Sequence, residues 1–191
     1  RYAALAMNME GGGGFEIWQH TAIRPKPPAF DVKLGDTGKF ICKIKSRNIK
    51  KSYQGHKAMG LSILGGLVPD PIGNLHYYLK DPYDNIFEIV EEEDCYLKQR
   101  SLTGGVAGVV IGVSDIDEAL KVYMEILQYD KIVFYKRDFF EDFDILPGGK
   151  EKYKRVLLRH MPRTGPFSKL LGACRTSFSQ NLDYFHFDSH F

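Results

Sequence analysis

No run of this chain approaches the roughly 18 consecutive apolar residues that a membrane-spanning helix needs. No long apolar segment with a cleavage site stands near its start either, so no secretory signal is expected. Cysteine is scarce: Cys42, Cys95 and Cys174 are odd in number, far apart and without a CxxC pair. That spacing excludes a disulfide framework and a zinc knuckle, and it fits a reducing, cytoplasmic setting. An excess of one charge is missing as well. The formal net charge is only +2, too small to make nucleic acid or an anionic membrane the expected partner. There is no nucleophile elbow, no HExxH zinc signature and no Walker-type phosphate loop, and the pairs Gly65-Gly66 and Gly148-Gly149 read as bulges or turns.

What is present suits an ordinary globular protein. The hydrophobic fraction is 43% and the charged fraction 26%, enough for a core without metal or disulfide staples. Residues Arg1–Glu10 and Phe15–His20 read as a hairpin turning on Gly11–Gly14. The proline-rich stretch Arg24–Asp36 is a connector. Strands are expected at Phe40–Lys45, Leu61–Val68, Leu75–Leu79, Ile86–Val90, Val106–Val113, Ile132–Tyr135 and Tyr153–Arg159. Asn48 and Asp115 stand where helix caps belong, ahead of helices running to about Ala58 and to Gln128. The acid- and aromatic-rich stretch Asp138–Gly149 is either a lid over a pocket or, preferably, a long surface hairpin loop. The basic stretch Lys150, Lys152, Lys154, Arg155, Arg159 and Arg163 could accept a phosphate or carboxylate ligand. It is read first as a solvated hairpin balancing those acids. Thr176–Phe191 shows no clear period.

The chain also repeats itself. Phe15-Glu16-Ile17-Trp18 returns as Phe87-Glu88-Ile89-Val90, and the strand-to-helix junction Ile44–Tyr53 returns as Ile111–Leu120, in each case about 70 residues later. Each period holds a strand, a helix and three strands. On these residues the sequence resembles the glyoxalase/bleomycin-resistance/dioxygenase (vicinal oxygen chelate) superfamily. Gly108–Phe134 (GVVIGVSDIDEALKVYMEILQYDKIVF) is similar to that family's opening strand and helix, with Gln128 where a glycine is usual. Tyr78–Val90 (YLKDPYDNIFEIV) is similar to its closing hairpin, with Asp84 at the usual glycine position and Asn85 and Glu88 matching.

The resemblance implies an α+β fold of repeated βαβββ modules forming a curved mixed sheet around a cleft, with part of a module missing. Residues 1–98 would hold the closing hairpin of a first module and a complete second module. Residues 99–191 would hold a third, incomplete or divergent at its C-terminal end, where Cys174–Ser179 lacks the apolar-Glu-apolar motif of a closing strand. Incomplete modules leave strand edges open, and a homodimer would cover them.

The resemblance further implies a divalent metal (Mn, Fe, Ni or Zn) in the cleft, held by a His and a Glu from each module, serving a lyase, isomerase or dioxygenase that acts on a small oxygenated metabolite. Glu16 and Glu88 match the Glu positions. Strand alternation points them to the cleft and Phe87 and Ile89 away from it. The His positions do not match: Gly108 and about Ile41 stand there. The alternatives are therefore a metal site on Glu16 and Glu88, or two polar strand residues facing water or lysines. Trp18, His20, His76 and Tyr78 are the candidate substrate-binding residues. A metal-free small-molecule-binding protein that uses the same cleft for sequestration is the second functional reading. Fold alone does not choose between the two.

Overall fold

The computed structural model describes residues 2–8, 10, 13–24, 26–93, 97, 100–159 and 175–181 of the 191. Gly11, Gly12, Cys95, Cys174, His160, His186 and His190 lie outside the described residues.

Local chemistry explains most element boundaries. Strand β3 (Gly38–Ser46) leads into helix α1 (Ile49–Ala58), whose first turn is closed by Asn48 accepting from the Lys51 N–H at 3.0 Å. Strands β4 (Ser62–Pro69), β5 (Leu75–Lys80) and β6 (Ile86–Glu91) follow. Both intervening turns are built on an aspartate. Asp70 accepts from the backbone of Ile72 and Asn74, and Asp81 from that of Tyr83 and Asn85, all between 2.8 and 3.0 Å. The third module repeats the order: β7 (Val106–Gly112), α2 (Ile116–Lys121), β8 (Lys131–Asp138), β9 (Tyr153–Arg159) and β10 (Arg175–Asn181). Asp115 caps α2, accepting from Asp117 and Glu118. The expected helix to Gln128 is shorter: after Lys121 it widens into a π turn, Val122–Ile126.

All eight of these strands form one sheet in the order β4-β5-β6-β3-β7-β10-β9-β8. Each module pairs its first strand in parallel with its last, and β3 and β7 meet antiparallel at the centre. This is the paired βαβββ arrangement expected from the sequence. A closing strand is thus present in the third module at Arg175–Asn181, in sequence that carries no closing motif.

The helices lie on one face of the sheet. Ile49 packs with Tyr77 and Ile89, and Ile116 with Val156 and Leu158. The opposite face carries a second core of Leu34, Ile41, Tyr78, Ile86, Val110 and Tyr153, together with Phe140, Phe143 and Leu146. Those last three belong to the β8–β9 connection. The stretch expected as a surface hairpin loop is instead folded back into the cleft, because three of its apolar side chains have the sheet to bury against. Gly149 permits the fold-back, since a Cβ there would stand 1.7 Å from the Phe143 carbonyl oxygen.

Strands β1 (Tyr2–Met7) and β2 (Gly14–Gln19) form a separate two-stranded hairpin. Phe15 packs edge-on against Phe87 with ring centroids 5.9 Å apart. Glu10 is buried and pairs with Arg47, tying the hairpin's surroundings to the second module. No helix among the described residues is long and apolar enough to cross a membrane.

Candidate functional site

Alternation along β3, β5, β6 and β9 sends Lys43, His76, Tyr78, Glu88 and Arg155 to the cleft face, where all five are at least nine-tenths buried. Register then sets who meets whom. Glu88 lies directly beside Lys43 on one neighbouring strand and Tyr78 on the other. Its Oε2 is 2.8 Å from the Lys43 Nζ, and its Oε1 is 3.0 Å from His76 Nδ1. On the far side of the cleft Arg155 reaches Asp142, in the single 3₁₀ turn of the β8–β9 connection, through Nη1 at 2.9 and 2.7 Å from the two carboxylate oxygens. His76 stands between the pairs, its Nε2 3.7 Å from Asp142 Oδ2. The Arg155 guanidinium also lies 3.9 Å from the Phe143 ring centroid, a cation–π contact away from water.

The cluster is charge-balanced, with Lys43 facing Glu88 and Arg155 facing Asp142. It is poorly hydrogen-bonded for its burial. Among the described residues, the ring nitrogens of His76, the Glu88 oxygens and the Tyr78 hydroxyl make no aligned hydrogen bond. Burial pushes the Glu88 carboxyl up, but the Lys43 ammonium and His76 beside it more than reverse this and hold it well below the usual carboxylate range. A carboxylate so stabilised is a weak base. Burial, and then the nearby Glu88 and Asp142 charges, push the Tyr78 phenol well above its ordinary value. Tyr78 is therefore a neutral hydroxyl, able to donate to a ligand oxygen.

Among the residues singled out from sequence, Glu88, His76 and Tyr78 come together, with the His76 and Tyr78 rings 5.2 Å apart. Glu16, Trp18 and His20 are exposed on or beside the β1–β2 hairpin. Because Phe15 touches Phe87, alternation turns Glu16 and Glu88 away from that contact to opposite sides, one into solvent and one into the core. The repeated motif is thus the same locally, but its two glutamates do not share a cleft.

The opening-strand position beside Glu88 also needs correction. Sequence matching puts it at about Ile41, but the parallel pairing sets Ile41 beside Ile86 and Lys43 beside Glu88. Arg155, expected in a solvated basic hairpin, is buried. Sequence reasoning misses Lys43 and Asp142 as site residues and offers Arg155 only as part of the basic stretch that could accept a phosphate or carboxylate. The one available signal was a lysine at alternate spacing in the apolar strand Phe40–Ile44.

A resident divalent ion does not fit this set. Among the described residues no group of three or more His, Cys, Asp and Glu side chains could hold a metal. Glu88 is already neutralised by Lys43, and a dication beside it would face that ammonium at close range in a low-dielectric interior.

The sequence matches no known protein-family profile. Curated proteins likewise give no significant match. Among solved structures, the chain is similar to glyoxalase I from Zea mays at 18% identity and a TM-score of 0.46, over 76% of this chain and 43% of that one. It is similar to methylmalonyl-CoA epimerase from Mycobacterium tuberculosis at 12% identity and a TM-score of 0.42, over 80% of this chain and 93% of that one. The chain spans less than half the length of the glyoxalase chain. Likeness at this level says nothing of which chemistry a protein performs.

Proposed function

We propose that this chain, which adopts the glyoxalase/bleomycin-resistance/dioxygenase fold, is a metal-free small-molecule-binding protein whose cleft floor is formed by Lys43, His76, Tyr78, Glu88 and Arg155. One observation carries the reading: a lysine ammonium sits 2.8 Å from the glutamate that would otherwise be a metal ligand. Glu88 then serves as the counter-ion that holds Lys43 and orients His76, while the neutral Tyr78 hydroxyl and the two cations recognise oxygen atoms of a small oxygenated ligand. The ligand enters by displacing the β8–β9 connection, which supplies Phe140, Phe143 and Leu146 to the cleft. A preformed polar floor under an apolar cover is the usual chemistry of a small-molecule site. No nucleic acid or membrane partner is part of this reading. Self-association into a homodimer, checked by light scattering, is compatible with it.

The rival, a metal-dependent lyase, isomerase or dioxygenase, keeps Glu88 in the expected place but needs Lys43 to leave it. Metal analysis of protein purified without chelator separates the two. The metal-free reading expects substoichiometric Mn, Fe, Ni and Zn, and no rise in Tm on adding any of them. It also expects a panel of small carbonyl, hydroxy-acid and phenolic compounds to contain binders whose Tm shift is lost in Tyr78→Phe. Near-stoichiometric metal in the parent, absent from a folded Glu88→Gln variant, would overturn it in favour of the enzyme.

A further inference from the structure

Asp142 is the one charge in the cluster that the sheet does not supply. It is carried into the cleft by a single turn of 3₁₀ helix, Glu141–Phe143, in the β8–β9 connection. Its carboxylate meets Arg155 through one guanidinium nitrogen only, Nη1, which contacts both oxygens. That is not the side-on arrangement in which two guanidinium nitrogens each take one carboxylate oxygen. Two further groups reach toward the same spot without being satisfied. His76 Nε2 lies 3.7 Å from Asp142 Oδ2, and the fully buried Tyr78 hydroxyl, which feels both the Asp142 and the Glu88 charge, has no hydrogen-bond partner among the described residues. A carboxylate free to adjust its position could take both nitrogens of the fork and the Tyr78 hydroxyl. One anchored to a backbone turn does not.

We propose that Arg155, His76 and Tyr78 form a carboxylate subsite in which Asp142 is an internal stand-in for the carboxylate of the ligand. Binding would then be an exchange of one carboxylate for another, with Asp142 leaving on the β8–β9 connection. The segment is suited to that exchange. It begins and ends on the hairpin β8–β9, it exposes Phe139 and Ile145 while burying Phe140, Phe143 and Leu146, and Gly148 at its end holds a left-handed φ of 76°. The exchange also leaves the charge balance of the cleft unchanged, because one anion replaces another beside Arg155. This rests on the metal-free binding reading and adds the chemical class of the ligand: a small molecule bearing a carboxylate.

The test uses sodium acetate as the probe, with sodium chloride at equal ionic strength and acetamide as controls, on the full chain. In the parent chain, acetate competes with Asp142. Asp142→Asn keeps the shape and removes the competing charge, so acetate should bind it at least about tenfold more tightly, since apparent affinity scales with the fraction of open sites. The gain should be absent with acetamide, and it should vanish when Arg155→Gln is added. Gly149→Ala crowds the fold-back of the connection without touching a charge. It should raise acetate affinity in a chain that keeps Asp142, which gives a second route should Asp142→Asn fail to fold. Equal acetate affinity in the parent and in the folded variants, or a gain that survives Arg155→Gln, overturns the subsite. An acetate-blind chain that still binds an uncharged carbonyl compound through Tyr78 overturns the carboxylate inference alone and leaves metal-free binding standing.

Discussion

Lys43→Met removes the cation that neutralises Glu88 while leaving a side chain of similar length in the core. Both partners are almost wholly buried, so solvent screening does not soften the loss. Removing one partner of a buried pair leaves the other charge uncompensated, at a cost of about 3–5 kcal/mol. That is a large share of the ~5–15 kcal/mol that stabilises a typical domain. The pH dependence makes the test specific. In the parent chain Glu88 is held well below its ordinary value. Its contribution to stability is therefore fully present above an unfolded pKa of about 4.3 and fades as the pH falls from there toward the folded value. Without Lys43, burial becomes the dominant influence and the folded carboxyl rises above its ordinary value. The sign reverses: the variant loses stability as the pH rises through about 4.3, at up to ~1.4 kcal/mol per pH unit for one proton. The gap between parent and variant should thus be present already near pH 3.5 and widen steadily as the pH rises to 7. Urea denaturation followed by far-ultraviolet circular dichroism measures it. Trp18 fluorescence would report mainly on the exposed hairpin. Lys43→Arg, which keeps the charge, should lose much less. An equal destabilisation of Lys43→Met at pH 3.5 and pH 7 would refute the assignment of Lys43 as the counter-charge of Glu88.

Three further outcomes follow from the same structure. Asp84 and Gln128 hold left-handed φ values of 67° and 60°, a conformation that costs a non-glycine residue roughly 1–2 kcal/mol. Their replacement by glycine should raise the calorimetric Tm, less for Asp84 because aspartate tolerates this region. Phe143→Ala empties the centre of the cleft-filling segment and exposes Arg155 to water. It should cost about 3–5 kcal/mol in chemical denaturation, whereas a segment lying on the surface would lose well under 1 kcal/mol. The Tyr153 hydroxyl donates toward the carbonyl oxygens of Leu34 and Gly148, and burial pushes its pKa up to about 12. Spectrophotometric titration should therefore leave Tyr153 protonated past pH 11 along with the buried Tyr77 and Tyr78, and stability tied to Tyr153 should hold below about 10 and fall as the pH rises toward its folded value. Tyr153→Phe should cost about 1 kcal/mol and lower the amplitude of the late titration by one tyrosine.

The fold was legible because its signals are local. Asn48 and Asp115 cap within three residues of themselves, and Asp70 and Asp81 fold their own turns. The two places where the sequence lacks an expected glycine, Asp84 and Gln128, are the two described non-glycine residues with positive φ. Conformation at those sites is thus imposed by the module and not by the residue. Alternation correctly put Glu88, His76 and Tyr78 on one face. It could not choose between Ile41 and Lys43 as the neighbour of Glu88, because both lie on the same face of β3 and only the long-range register with β6 decides. Nor could a motif shared by Glu16 and Glu88 reveal that β2 pairs with β1 alone while β6 lies inside an eight-stranded sheet. The acids and cations of the third module mislead for a related reason. Composition makes Asp142 and Arg155 look solvated, and each is buried only because the other is buried with it. Charges that neutralise one another across 13 residues are visible in a structure and not in a pattern. The same reasoning accounts for the burial of Glu88: Lys43 balances it from the adjacent strand, so the glutamate keeps its place in the sheet as half of a neutral pair.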